Sequence, residues 1–222
     1  MMKLNLMIFI LIVFPFSLSA QVSIEEFDYK TILELIFIFI VIIIFLLERR
    51  HLIKKHKEEL EKFSDTDLLT NLTSRKKLDE TLSFQENSVK RYKSYFSIIL
   101  MNIDNIKIVN DKYGQHVGDS LLQDVAKILA QAVRSSDVVG RWGSDEFMII
   151  CAHTNEKSAL SLAEKLRRRI HMYKFDSVRK VTASFGVSEQ NEHKKSLDEL
   201  IVNVNRALND AKKSGKNQCS VH

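Results

Sequence analysis

The chain has 222 residues, 45% of them hydrophobic, with a formal net charge of +5 and two cysteines. The length fits one soluble domain with a single packed core behind a membrane-directing first quarter. Much of the positive excess lies in one short run, which points to anionic lipid headgroups and away from nucleic acid. Cys151 and Cys219 have no CxxC spacing and no assignable base, so both are expected to stay reduced and neither is a nucleophile candidate.

In chain order, Lys3, the apolar run from Leu6 to Phe16 and Ser17-Leu18-Ser19-Ala20 read as a secretory signal over residues 1–20, with an uncleaved membrane segment as the alternative. Residues 21–31 are a short periplasmic segment carrying Glu25, Glu26 and Asp28. The almost wholly aliphatic and aromatic run 32–47 predicts a transmembrane helix, with Glu34 near one interface. Arg49, Arg50, Lys54, Lys55 and Lys57 belong to a basic juxtamembrane helical linker, 48–64. By the positive-inside rule they place the rest of the chain on the cytoplasmic side of the membrane. Leu46, Ile53 and Leu60 recur every seven residues, the spacing of a short stalk that pairs two chains; a solvated charged linker fits the same residues.

Residues 65–222 alternate helix and strand signals. Thr73 or Ser74 caps a helix through Leu78 and Leu82, Tyr95 to Ile103 is an apolar strand, and Gly118 to Ala132 has helical spacing. Two strand-like runs then meet at Gly143-Ser144, where glycine at the first central position suits a type II′ hairpin turn. A helix over Glu156 to His171, a strand over Val181 to Val187 and a helix over Leu197 to Lys213 complete the series. The order predicts an α/β (α+β) domain of the split βαβ, palm-like type, its mostly antiparallel central sheet flanked by helices.

Asp145 and Glu146 sit at the hairpin tip, although acidic residues usually avoid strands. Asn102 and Asp104, two apart at the end of the strand beside the hairpin, share a face. These four side chains could converge on hard divalent cations, which prefer oxygen ligands and clamp triphosphates, and Lys107 is placed to reach phosphate oxygens.

Several fragments stand in one order: Asp67-Leu68-Leu69-Thr70-Asn71-Leu72, Asn110-Asp111-Lys112-Tyr113-Gly114, Gly118-Asp119, Arg141-Trp142-Gly143-Ser144-Asp145-Glu146-Phe147, Ser184-Phe185-Gly186-Val187, and Ala211-Lys212-Lys213-Ser214-Gly215-Lys216-Asn217. In these residues 65–222 resembles the GGDEF family of diguanylate cyclases. The resemblance implies condensation of two GTP into cyclic di-GMP by a homodimer in which each domain holds one GTP. It implies that Asn110 and Asp119 hydrogen-bond guanine and that Gly143 and Ser144 lie against the nucleotide. Asp145 and the Ile103 carbonyl would bind Mg²⁺ or Mn²⁺, with Asn102 and Asp104 on the same face. Glu146 would assist the metal or take the 3′-hydroxyl proton, while Lys107, Lys212 and Lys216 would neutralise the triphosphate. Arg134 and Asp137 stand where the family carries its RxxD product-inhibition motif.

The sequence also departs from the family pattern. Asn102 replaces the first metal-binding aspartate, Ser144 the second glycine of the name motif, and Lys216 an arginine; Asn105, Ile106, Gln115 and Asn209 are further changes. A neutral amide contributes no charge to a cation site, so reduced activity is expected. A catalytically degenerate receptor for cyclic di-GMP acting through Arg134 and Asp137, or a GTP-responsive dimerisation module, is the alternative. A cyclase or polymerase-like activity on another triphosphate is a third, which Asn110 and Asp119 disfavour.

Overall fold

The computed structural model describes residues 29–176, 178, 180–192 and 196–222; the expected signal and most of the periplasmic segment lie outside them. The chain divides into two units, Met1–His56 and Lys57–His222. Helix α1, Tyr29–Phe63, begins in the first of these. From Ile32 to Leu47 its apolar side chains are exposed, apart from the half-buried Ile38.

Among the described residues no helix is long and apolar enough to cross a membrane, which departs from the predicted span 32–47. Glu34 and Glu48 account for the difference. The uninterrupted apolar run between them, Leu35 to Leu47, rises about 20 Å at about 1.5 Å per residue, short of a hydrocarbon layer of about 30 Å. Leu46 and Ile53 of the heptad spacing are exposed, and the Leu60 side chain is not among those described.

The second unit is a five-stranded sheet flanked by helices. After α2 (Arg75–Tyr92) come β1 (Phe96–Ile103), α3 (Ile106–Tyr113), α4 (Gln115–Ala130), β2 (Val138–Arg141) and β3 (Glu146–Ala152). Then follow α5 (Glu156–Met172), β4 (Ala183–Gln190), α6 (Leu197–Lys213) and β5 (Cys219–Val221). The strand order is β2-β3-β1-β4-β5, antiparallel throughout except for the parallel β4–β5 edge. This is the expected mixed α/β sheet, with two additions. Helix α3 has eight residues, too few to show a period, and β5 has three.

Every residue of β1 is buried, because the central strand is covered on both faces. By the two-residue alternation of a strand, Ile99, Met101 and Ile103 pack with residues of α4 and α5, whereas Phe96, Ile98 and Leu100 pack with residues of α2 and α6. Asn102 continues the second set, so the polar end of β1 opens on the α6 side. Ser74, not Thr73, caps α2: its Oγ accepts from Lys77 N at 3.4 Å and donates to Ser64 O at 2.8 Å. Gly186 lets α6 lie close on β4, since a Cβ there would stand 2.3 Å from Val204 O.

Candidate active site

The hairpin tip joins β2 to β3 through residues 142–145, and it is not the predicted type II′ turn. Trp142 N and Gly143 N both donate to Glu146 O, at 2.8 and 3.1 Å, and Gly143 lacks the positive φ that such a turn requires. Arg141 explains the wider loop. Its Nε donates to Gly143 O at 3.1 Å, its Nη2 to Ser144 O at 2.7 Å, and its Nη1 to both Asp67 oxygens at 3.4 and 3.3 Å. Asp67 is held in turn by Thr70 N and Oγ1. On the other side, the Arg75 guanidinium lies 3.2 Å over the Trp142 ring and donates to Trp142 O at 2.8 Å. The planar guanidinium fork of Arg141 thus ties two carbonyls and a carboxylate to one rigid tip.

Both oxygens of Asp145 accept from the two residues that depart from the family pattern. Ser144 Oγ donates to its Oδ1 and Asn102 Nδ2 to its Oδ2, each at 3.0 Å. Glu146 faces Asn102 across the β1–β3 pair, with Lys212 Nζ 3.9 Å away. Burial pushes the Glu146 carboxyl above its ordinary range; Lys212 opposes that shift, and neighbouring Asp145 adds to it.

Asp104 does not join this set as predicted. Strand β1 ends at Ile103, and the Asp104 N–H donates to Thr182 O at 2.9 Å. Its carboxylate turns to Thr182 Oγ1 at 2.7 Å, Ser184 Oγ at 2.8 Å and Asn217 N at 3.1 Å. Among the described residues no group of three or more His, Cys, Asp or Glu side chains is gathered to hold a metal. What remains for a hard divalent cation is the Asp145 and Glu146 carboxylates, the Ile103 carbonyl and the Asn102 amide oxygen. These fit such an ion in donor type, but Asn102, whose Nδ2 now donates to Asp145, must rotate its amide to offer its oxygen.

At the other end of the site, Asn110 lies in the last turn of α3. Its Oδ1 is buried without a hydrogen-bond partner, and a Cβ at Gly118 would stand 1.8 Å from it, so glycine makes room for the amide. Asp119 follows on α4, half-buried. Lys107 is exposed in the first turn of α3, and Lys216 Nζ donates to Asn105 Oδ1 across the α3 N-terminus.

Arg134 and Asp137 form a compact turn, with Arg134 N donating to Asp137 Oδ2 at 3.2 Å and Asp137 N to Arg134 O at 3.0 Å. They line a cavity of about 340 Å³ with Tyr95, His153, Asn155 and Lys165. Lys165 was not anticipated, because the charged run around it reads as the solvated face of a helix. Arg75 over Trp142 was missed likewise, since nothing in the spacing of those residues signals their contact.

A palm-like α/β sheet with an acidic hairpin beside its central strand defines the class. Residues 64–218 match the family described as diguanylate cyclase, GGDEF domain, and the chain belongs to that family. It is 38% identical over 168 residues to the uncharacterized protein YtrP of Bacillus subtilis, covering 75% of this chain and 28% of that protein. It is 30% identical over 170 residues to diguanylate cyclase A of Treponema denticola, covering 73% and 46%. The chain therefore spans less than half the length of these curated relatives. Among solved structures, the active GGEEF domain of a diguanylate cyclase from Vibrio cholerae is 29% identical with a TM-score of 0.63, covering 66% of this chain and 95% of that one. The GGDEF domain of DgcB from Caulobacter crescentus, in complex with c-di-GMP, shares the fold with a TM-score of 0.66 at 23% identity, covering 71% and 92%.

Proposed function

We propose that this chain is a diguanylate cyclase of reduced turnover, attached to the bacterial inner membrane with its GGDEF domain cytoplasmic, condensing two GTP into cyclic di-GMP as a homodimer of half-sites. The observation that carries the reading is the grouping of Asp145, Glu146, Asn102 and Lys212 at the hairpin tip. Asn110, set against Gly118 and followed by Asp119, supports guanine as the base, since amide and carboxylate groups match its edge. Lys107, Lys212 and Lys216 would neutralise triphosphate charge, and Gly143 and Ser144 would lie against the nucleotide backbone. Glu146, held above the ordinary carboxylate range, suits acceptance of the proton from the attacking 3′-hydroxyl. A bound Mg²⁺ or Mn²⁺ would supply Lewis-acid stabilisation of the phosphate oxygens. Reduced turnover follows from Asn102, which replaces charge with an amide that already occupies Asp145. The exposed apolar side chains of α1 from Leu35 to Leu47, followed by Arg49 and Arg50, support attachment to an anionic lipid surface. Incubating the full chain in detergent micelles with GTP and Mg²⁺ or Mn²⁺ tests the cyclase reading, and absence of cyclic di-GMP at high protein concentration would sink it.

A second reading is favoured by the cavity at Arg134, Asp137 and Lys165: a receptor that binds cyclic di-GMP without making it. Calorimetry with cyclic di-GMP should give binding that Arg134→Ala weakens at least tenfold, taking about 1.4 kcal/mol per tenfold. Equal binding by the two proteins, or none by either, would refute it.

A further inference from the structure

We propose that Asp104 is a positioning residue that locks the turn carrying Lys216, setting that ammonium over the triphosphate end of the site. This rests on the nucleotide reading above but gives Asp104 a task other than metal ligation. Three consecutive residues after α6, Gly215, Lys216 and Asn217, have φ of +112°, +64° and +49°. Two of them carry side chains, in a region that L-residues enter at a cost, so this backbone persists only where its surroundings hold it.

The structure shows what holds it. The Lys216 N–H donates to Ala211 O at 3.1 Å, fastening the turn to the end of α6. The Asn217 N–H donates to Asp104 Oδ2 at 3.1 Å, and the Asn217 side-chain oxygen accepts from Arg167 Nη1 at 3.2 Å. Lys216 stands between these two anchors, and its Nζ reaches Asn105 Oδ1, beside the first turn of α3 that bears Lys107.

Asp104 is built as a fixed acceptor. It is 7% exposed, and both of its oxygens accept hydrogen bonds, two of them from the hydroxyls of Thr182 and Ser184 at the start of β4. Those hydroxyls orient the carboxylate, and the carboxylate orients Asn217. A hydrogen bond to a charged acceptor is among the stronger ones a turn can have. The aspartate therefore couples the end of β1 to the backbone of the loop between α6 and β5, beside the side-chain contact that Lys216 makes with Asn105.

The chemistry of the three donors also distinguishes this task from metal binding. In Asp104→Asn, the amide oxygen can still accept from Thr182 and Asn217 while its nitrogen donates to the Ser184 hydroxyl, so the lock survives without the charge. In Asp104→Ala the acceptor is gone. A metal ligand shows the opposite pattern, because loss of charge alone weakens a divalent site.

The test uses the full chain in detergent micelles and 3′-deoxyguanosine triphosphate, which lacks the attacking hydroxyl and cannot condense. Calorimetry with Mg²⁺ should show Asp104→Ala and Lys216→Ala each binding this nucleotide about tenfold more weakly than wild type, the scale of one lost charged interaction. The double variant should be no weaker than Lys216→Ala alone, because Asp104 acts through Lys216. Asp104→Asn should restore binding to within about threefold of wild type, with an unchanged Mg²⁺ dependence. Hydrogen exchange at the Asn217 amide should accelerate in Asp104→Ala and stay slow in Asp104→Asn, which reads the lock without any ligand. Additive losses in the double variant, or an Asp104→Asn that loses Mg²⁺ dependence, would overturn the assignment. If wild type binds no 3′-deoxyguanosine triphosphate, the cyclase reading and the role given to Lys216 fall together. An Asn217 amide still slow in Asp104→Ala would refute the lock in either case.

Discussion

Replacing Asn102 by aspartate sets a second carboxylate against Asp145, where the amide now donates at 3.0 Å. Two unit charges about 4 Å apart at an effective dielectric of about 20 repel by about 4 kcal/mol, and a lost hydrogen bond to a charged acceptor adds about 1.5 kcal/mol. Asp145 is only half-buried, so solvent screening reduces the sum to about 2–4 kcal/mol. For a domain of this size that lowers the thermal midpoint by roughly 5–15 °C in the presence of a chelator. Repulsion raises the folded pKa of one carboxyl of the pair. The native state then binds more protons than the unfolded state, so the loss is full at pH 8 and vanishes as pH falls below the ordinary carboxylate range. A divalent cation held by the two carboxylates would offset the loss, by about 2.7 kcal/mol at a hundredfold excess over its dissociation constant. Thermal unfolding of the full chain at pH 8 and at stepwise lower pH through the carboxylate range, with chelator and with Mg²⁺, reads each of these terms. Turnover of GTP by Asn102→Asp should rise at least tenfold, about 1.4 kcal/mol of barrier. If the variant unfolds at the wild-type temperature in chelator at pH 8 and Mg²⁺ shifts neither protein, the reasoning about Asp145 is wrong.

Three other outcomes follow from the same geometry. Burial raises the Glu146 carboxyl, so its contribution to stability is fully present below the ordinary carboxylate range and is lost as pH rises through the raised value; Glu146→Gln should flatten that part of the pH–stability curve, and an unchanged curve would show that Glu146 is not its source. Gly118→Ala should displace the Asn110 amide, because the new Cβ would stand 1.8 Å from its oxygen, and weaken guanine nucleotide binding about tenfold; calorimetry showing wild-type affinity would remove Asn110 from the base site. Burial pushes the Cys151 thiol up to about 12 and raises that of Cys219, which also lies beside Glu164. Both should therefore resist iodoacetamide at pH 7.5 until the chain is unfolded, and rapid labelling of the native protein, read by mass spectrometry, would contradict this.

Much of the fold was legible from local pattern. The apolar runs of β1 and β3 and the helical spacing of α4, α5 and α6 each report what is buried, because burial follows a pattern set by backbone geometry. Their boundaries shifted by a few residues, as at β4, which runs to Gln190 beyond the expected Val187. The motif residues at the hairpin and on α3, α4 and α6 were also readable, because a nucleotide site needs particular groups on particular elements. Helix α3 and strand β5 were not, being too short to carry a period.

The family, the sheet and the acidic pair Asp145–Glu146 can be read from the residues alone. What those carboxylates and their neighbours hold depends on how distant elements pack. Asp104 shares a parity with Asn102, which suggested a common metal, yet it reaches Asn217, 113 residues along the chain. Asn102 and Ser144, which first register as losses from the family pattern, both donate to Asp145. The wide hairpin is likewise set by Arg141 holding Asp67, 74 residues away. Periodicity encodes which face of an element is buried; it does not encode which donor meets which acceptor once two distant elements are packed together.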